Sequence, residues 1–502
     1  MGSDLSAQVA RAEFLAAHGL TPVDLRWYGG VNQFGYSLVS PAVMALLGVR
    51  VTGALAVVGA ALAFAALLVR TGVPRPLLGG LVGAACIAGN LVSGRVTYAL
   101  GVAFGLVALL ALTATHNRIR YAGAAAGALL ASATSPVAGL FVGLAGVALI
   151  LSRRPAAGAT LAVAAAGPLA VTSVLFGEGG WMNISRTDTV HAVVTSLAVA
   201  ALVGYRPVRI GALLSAAGVL AAALVHTPVG LNATRLVVMF ALPVLAACVR
   251  VPRPPVGAKT PRITARVRLP RRHRRRLAAA GLVTILAVGY WWQPPVNHDD
   301  LRDAGNPTSD RAYFAPLLAE LRRRAPDGRI EIPPTRDYWE AAYLGDFPLA
   351  RGWLRQADIA RNPLFFTTVP GAAGTGVPLI PETYRAWLVD NAVTYVAVPD
   401  AELSWVGRAE AALATEMLPE VWRGGPWRLY AVPNPTPLVA APATLVAHDA
   451  ATLTFDAPAP GTYAVRIRPS RWLTASDGAT LVPSGDWLLV RVPGPGRYTI
   501  TS

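Results

Sequence analysis

The side chains of this chain that could do chemistry gather in a few short stretches. The first 40 residues read MGSDLSAQVARAEFLAAHGLTPVDLRWYGGVNQFGYSLVS and place Asp4, Asp24 and Arg26 in one segment with Trp27 and Tyr28. Arg95 follows in SGRVTY. EGGWMNISRTDTVH supplies Arg186, Asp188 and His191, and HTPVGLNATRL supplies His226 and Arg235. A carboxylate can take a proton from a hydroxyl or hold a divalent ion. Guanidinium groups hold phosphate through paired hydrogen bonds. Far along the chain, TRDYWEAAYLGDFPLARGWLRQAD concentrates Arg336, Asp337, Tyr338, Trp339 and Trp353. Rings that stack on sugar faces, set among groups that bond hydroxyls, suit carbohydrate; an ordinary aromatic core with a charged rim has the same composition. Phosphate-cradling glycine loops, HExxH and GxSxG are absent from the sequence. Cys86 and Cys248 lie in apolar stretches with no metal or redox pattern around them.

The elements that must position these residues are set by composition. Apolar residues make up 54% and charged residues 14%, with a mean hydropathy of +0.47. Soluble domains are about a quarter charged, so this balance indicates a polytopic α-helical membrane protein. The net charge of +17 does not indicate nucleic acid, because much of it sits in the acid-free stretch Arg250–Arg276. Five acids occur before residue 294 (Asp4, Glu13, Asp24, Glu178 and Asp188), and the rest of the 27 come after it. Apolar runs predict about ten spans, near 51–69, 77–94, 97–114, 121–136, 137–152, 157–176, 190–204, 208–226, 234–249 and 277–292. Ser135-Pro136 splits the run 121–152 into a hairpin.

Orientation follows from the arginines. With the 250–276 loop cytoplasmic, the alternate loops hold Arg70 and Arg75, His116 to Arg120, Arg153 and Arg154, and Arg206 with Arg209, and no acid. All five early acids then share the exterior face. Residues 36–49 are apolar but short, which predicts an interfacial or re-entrant helix. An exterior N-terminus without a signal segment points to a helix upstream of the sequence.

The expected organisation is an exterior loop with interfacial helices (1–50), a transmembrane domain (51–249), the basic loop (250–276), a last transmembrane helix (277–293), an exterior mixed α/β domain (294–436) and an exterior β-sandwich-like domain (437–502). In the α/β part, YFAPLLAELRRR and PETYRAWLVDNAV read as helices, TYVAVP and WRLYAVP as strands. In the last part, alternation between Gly/Pro turns predicts strands, with Tyr463, Val465 and Ile467 on one buried face and Leu488 and Val490 on another.

An acid in the first exterior loop, then Trp27, then the Tyr36-Ser37…Pro41 entry into the membrane resembles the GT-C superfamily of polyprenyl-phosphate-sugar glycosyltransferases. GRVTYALGVAFGLVALLAL and ATSPVAGLFVGLAGVAL are similar to its actinobacterial, YfhO-like branch. The resemblance implies a bacterial plasma-membrane enzyme moving a sugar from a lipid-linked donor to an envelope glycan acceptor. It singles out Asp4 as catalytic base or as ligand of a divalent metal. Arg95, Arg186 and Arg235 are the candidates for holding phosphate, Asp24, Arg26, Asp188, His191 and His226 for the acceptor, and Arg336, Asp337, Tyr338, Trp339 and Trp353 for glycan. Gly2-Ser3 stands where many members carry a second acid, and the family's preceding helix has no counterpart here. Two other classes fit the same architecture: a transporter, and a non-catalytic envelope assembly or glycan-binding protein. A transporter calls for polar groups at the bilayer midplane, whereas here they collect at one face.

Overall fold

The computed structural model describes residues 2–249, 271–296, 298–372 and 376–502. The basic loop expected over 250–276 lies, as far as Pro270, outside the described residues.

The chain opens with α1 (Leu5–His18), a short antiparallel ribbon of β1 (Val23–Asp24) and β2 (Val31–Asn32), and α2 (Ser40–Leu47). A run of long helices follows: α3 (Val49–Arg70), α4 (Pro76–Val92), α5 (Val96–Ala111), α6 (Asn117–Thr134), α7 (Pro136–Leu151), α8 (Pro155–Phe176), α9 (Arg186–Leu202), α10 (Arg206–Leu224), α11 (Arg235–Cys248) and α12 (Arg271–Trp292). Each matches one apolar run. Proline in the first turn starts α4, α7, α8 and α10, where its missing N–H costs no hydrogen bond. The hairpin at Ser135-Pro136 is formed as expected: Ser135 caps α7 and accepts the Ala138 N–H. Helix α9 starts earlier than its apolar run. The Ser185 hydroxyl accepts the Asp188 N–H at 3.0 Å and donates to the Asp188 carboxylate at 2.6 Å, a cap that pulls the polar residues 186–189 into the helix. Helix α2, eight residues long, rises about 12 Å, well short of a hydrocarbon core of about 30 Å.

Among the described residues, α3, α8, α10 and the segment Gly230–Cys248 are helices long and apolar enough to cross a membrane; α4, α5, α7 and the 279–292 part of α12 are apolar but shorter. The helices pack through small residues. Ala60, Ala124, Ala128, Ala131 and Ala192 are fully buried, whereas Leu62, Leu81, Val163 and Val174 stand more than 60% exposed. This inside-out distribution suits a lipid solvent, in which close backbone approach drives helix packing.

The helical bundle has two chemically distinct ends. At one, Arg75 donates to the Ala246 and Val249 carbonyls at 2.9 and 2.5 Å, Arg206 to that of Leu151, and Tyr205 to that of Gly72. At the other, the chain before α3 and the turns α4–α5 and α8–α9 meet the C-terminal domain. Glu178 pairs with Arg361 at 2.6 Å. Trp472 stacks on Phe176 and donates to the Leu175 carbonyl.

The C-terminal region holds a mixed unit and a β-rich unit. In the first, β3 (Arg329–Glu331), β4 (Val393–Pro399), β5 (Glu420–Gly424) and β6 (Trp427–Ala431) form a sheet of order β3-β4-β6-β5, parallel only between β3 and β4. Helices Ala315–Arg324, Pro381–Asp390 and Trp405–Met417 accompany it. The second unit has two sheets. One contains β7 (Thr444–His448), β8 (Thr452–Ala457), β10 (Thr474–Ala475) and β13 (Gly496–Thr501); the other contains β9 (Gly461–Val465), β11 (Thr480–Ser484) and β12 (Trp487–Val492). Phe455, Tyr498 and Ile500 face Tyr463, Val465, Leu488 and Val490 across one core, to which Ile467 also belongs. The expected alternation is therefore observed, although the strand ends at Val465.

The N-terminal segment is built into this C-terminal body. Leu5, Ala10, Trp27 and Tyr28 share a core with Phe314, Trp339 and Trp427. The Leu349 N–H donates to the Arg26 carbonyl, and the Val23 N–H donates to the Ser502 hydroxyl, 479 positions away.

Candidate functional site

Asp4 stands where α1 begins. Aspartate there commonly accepts its own helix's N–H groups. Here the side chain makes no capping bond and turns to two arginines. Its Oδ2 accepts from Arg95 Nε at 3.3 Å and from Arg235 Nη2 at 3.5 Å. The three residues come from the starts of α1, α5 and α11, so three distant segments converge. Two glycines permit this. Gly2 (φ +90°) and Gly94 (φ +70°) adopt a backbone that side chains rarely take, and a Cβ on either would collide with residues 92–93 or Leu5. Residues 2–5 thus lie directly on residues 92–95, and the Asp4 N–H bonds the Ser93 carbonyl at 3.2 Å.

Polar neighbours complete the wall. Gln8 donates to the Asp4 carbonyl at 3.3 Å and the Tyr36 hydroxyl at 3.4 Å, while accepting from Thr97 at 2.6 Å. The Arg11 guanidinium lies 4.4 Å from the centre of the Tyr36 ring and that of Arg235 lies 5.2 Å from the Tyr98 ring. Asp300, just after α12, accepts from the Ser3 N–H and the Ser93 hydroxyl. Trp353 donates to the Ser3 carbonyl at 2.9 Å and meets Tyr36 edge to face. The side chains of Asp4, Arg95 and Arg235 keep 13%, 30% and 19% exposure, so the ion pair is sheltered but reachable.

The other expected site residues have different placements. Asp24 and Arg26 form a buried ion pair with three contacts between their side chains, at 2.7–3.2 Å, and Arg26 also donates to the Ala10 carbonyl; they brace α1. Arg186 is exposed in the first turn of α9, outside the Asp4 ion pair. Asp188 serves the Ser185 cap. His191 packs on Trp292, and His226 stacks on Trp181. Arg336 binds Glu402 at 2.6 Å and Asp303 at 3.7 Å. Tyr338 is half-buried at φ +58°. Trp339, expected as a sugar platform, is instead a core residue, 3% exposed and stacked on Tyr343; its burial follows from the aromatic core it shares with α1. Asp337 is buried, and burial together with Asp303 and Asp300 pushes its carboxyl up to about 8. Three of this set touch the segment that carries Asp4: Trp353 at Ser3, Asp337 through its carbonyl, which accepts from the Ser6 hydroxyl at 2.7 Å, and Trp339 in the core it shares with Leu5 and Ala10.

Gln8, Tyr98, Thr97 and Asp300 were not singled out by sequence reasoning. The polar Gln8 and Arg11 on one side of α1 are the signal available, and Asp300 follows an apolar helix in the acid pair Asp299-Asp300.

As placed, the site offers a divalent cation few protein oxygens. Such ions collect six or more oxygens. Asp4 offers one carboxylate already shared by two guanidinium groups, and no group of three or more metal-ligating side chains occurs among the described residues. The arrangement fits an anion instead. Two arginines facing one carboxylate leave one positive charge uncompensated, which favours phosphate.

No family model, curated protein or solved structure matches the chain.

Proposed function

We propose that the chain is a membrane glycosyltransferase that moves a sugar from a polyprenyl-phosphate donor to an envelope glycan acceptor. The reading takes α3 to α12 as the membrane region, with the basic ends of the helices cytoplasmic and the Asp4 end, with the C-terminal domain, exterior. The arginine bias of one end supports that orientation. The observation that carries the reading is the convergence of Asp4 with Arg95 and Arg235 at helix ends beneath the C-terminal domain. The lipid-phosphate donor itself rests on the family resemblance.

Transfer would use these groups as follows. The donor phosphodiester binds Arg95 and Arg235, taking over the guanidinium contacts that Asp4 makes. The released carboxylate accepts the proton of the acceptor hydroxyl as its oxygen attacks the anomeric carbon. The bond from that carbon to the phosphate oxygen breaks, and the electron pair leaves with polyprenyl phosphate. The departing group gains a negative charge as Asp4 loses one, so the two arginines face constant total charge. Trp353 and Tyr36 flank the approach for an acceptor sugar ring.

The test is transfer by the full chain in lipid nanodiscs supplied with polyprenyl-phosphate sugar and envelope glycan. Asp4→Asn keeps the shape and removes the base; activity should fall by about 10²-fold or more. Transfer at the wild-type rate by that variant excludes Asp4 as the base, and no transfer by the native chain leaves the non-catalytic binding reading. Orientation is tested separately in intact cells. An impermeant thiol reagent should label Ser470→Cys and not Arg153→Cys, with the native Cys86 and Cys248 buried.

A further inference from the structure

We infer that the C-terminal domain holds a second anion-binding site, centred on Arg329 and suited to a single carboxylate or phosphate group. This site is independent of the transfer reaction. Arg329 lies on β3, where the N-terminal segment, the mixed sheet and the β-sandwich meet. It is 2% exposed. Its Nη1 donates to the Asn391 carbonyl at 2.8 Å and its Nη2 to the Arg466 carbonyl. Its Nε is buried without a hydrogen-bond partner. Among the described residues no carboxylate pairs with it. A buried, uncompensated cation is costly.

Its surroundings add positive charge. Arg329, Arg466 and Arg468 lie 5.3, 5.6 and 5.0 Å from the Trp487 ring centre. Arg466 has Asp390 at 3.1 Å and Arg468 has Asp486 at 3.3 Å, which leaves Arg329 as the member of the trio without a counter-ion. Burial first, then Arg468 and Arg466, pull its guanidinium down to about 9. Arg329 also lines a small cleft of about 20 Å³, bordered by Gly29, His448, Asp449 and Thr452. Asp449 borders the cleft without forming an ion pair with Arg329, and its Oδ1 accepts the N–H groups of Ala451 and Thr452. The wall at Gly29 (φ +77°) is bare because a Cβ there would strike Trp487 and Arg329. An anion in the cleft would supply the missing charge and use the free Nε–H.

The experiment is thermal unfolding of the full chain in detergent, with phosphate or glucuronate replacing chloride at constant ionic strength. The midpoint should rise progressively with one or both. A rise with phosphate alone assigns a phosphate group, and a rise with glucuronate alone assigns an acidic sugar. Arg329→Met should diminish the response, leaving with phosphate only the share due to Arg95 and Arg235. Thr452→Glu, which brings a carboxylate to the cleft, should raise the midpoint without ligand and diminish the response in the same way. No rise with either anion overturns the inference, as does an undiminished rise in Arg329→Met. Should that variant fail to fold, an undiminished rise in Thr452→Glu overturns it equally.

Discussion

The helical bundle and the C-terminal domain bury opposite kinds of residue. The bundle hides alanine alongside leucines such as Leu68 and Leu245, and turns other leucines and valines, such as Leu62 and Val163, outward. The C-terminal domain hides Trp427, Phe314, Phe455 and Tyr384, and it also buries charge: Arg351 binds Glu331 at 2.9 Å, Glu410, and Asp358 at 3.8 Å, all 2% exposed or less. In water, burial of large apolar surface drives folding, and a buried cation survives only with partners. In lipid, burying leucine gains little, so close contact between small residues holds the helices together. The Asp4 site lies at the border and takes residues from both sides: Arg95 and Arg235 from the bundle's helix ends, and Trp353 and Asp300 from the chain beyond it.

Four changes would break or sharpen this contrast. The largest effect is expected in the C-terminal domain. Arg351→Met leaves three buried carboxylates without their cation and should cost about 3–5 kcal/mol of unfolding free energy in denaturant titration. The next concerns pH. Asp337 has its carboxyl raised to about 8, so between the ordinary aspartate range and that value the folded state holds a proton that the unfolded state has lost. Stability then falls as pH rises through that window, by up to about 1.4 kcal/mol per unit. Asp337→Asn should flatten the slope between pH 5 and 7, and an unchanged slope in that variant refutes the assignment.

The third change tests close packing in the bundle. A Cβ at Gly139 would meet the Ser132 hydroxyl at 2.4 Å. Gly139→Ala should therefore destabilise by about 1–3 kcal/mol, despite the better helix propensity of alanine. The smallest effect is expected on the bundle's outer face. Leu62→Ala, at a position 66% exposed, should change stability by about 0.5 kcal/mol or less. A loss comparable to that of a water-soluble core leucine would show that this face packs against protein and not lipid.

The bundle was legible in the sequence because its helices are continuous apolar runs broken by arginine, glycine and proline, and each run became a helix. The strands of 437–502 were legible for a similar reason, since alternation survives one residue at a time in Tyr463 and Val465. The N-terminal helix was not. Its face toward the site carries Gln8 and Arg11, whose burial depends on Gln33, Tyr36 and Thr97, partners that the local pattern does not announce. Trp339 shows the same gap from the other side: its neighbours Arg336 and Asp337 suggested a surface, and only the tertiary core with α1 explains its burial. Asp4, Arg95 and Arg235 were named together as candidates, but their contact depends on Gly2 and Gly94 letting two backbones touch. The capping use of Asp188 was readable from Ser185 three residues earlier.

The bond from Val23 to Ser502 has a consequence for how the protein is made. A ribosome adding about 5–20 residues per second needs roughly half a minute to a minute and a half to cover the 479 positions between them. For the larger part of that interval the aromatic underside of the first segment, with Trp27 and Tyr28, has no seat, because Phe314, Ala341, Gly352 and Trp427, which cover it, have not been synthesised. The segment that carries Asp4 therefore meets Arg95 and Arg235 long before it gains its aromatic cover.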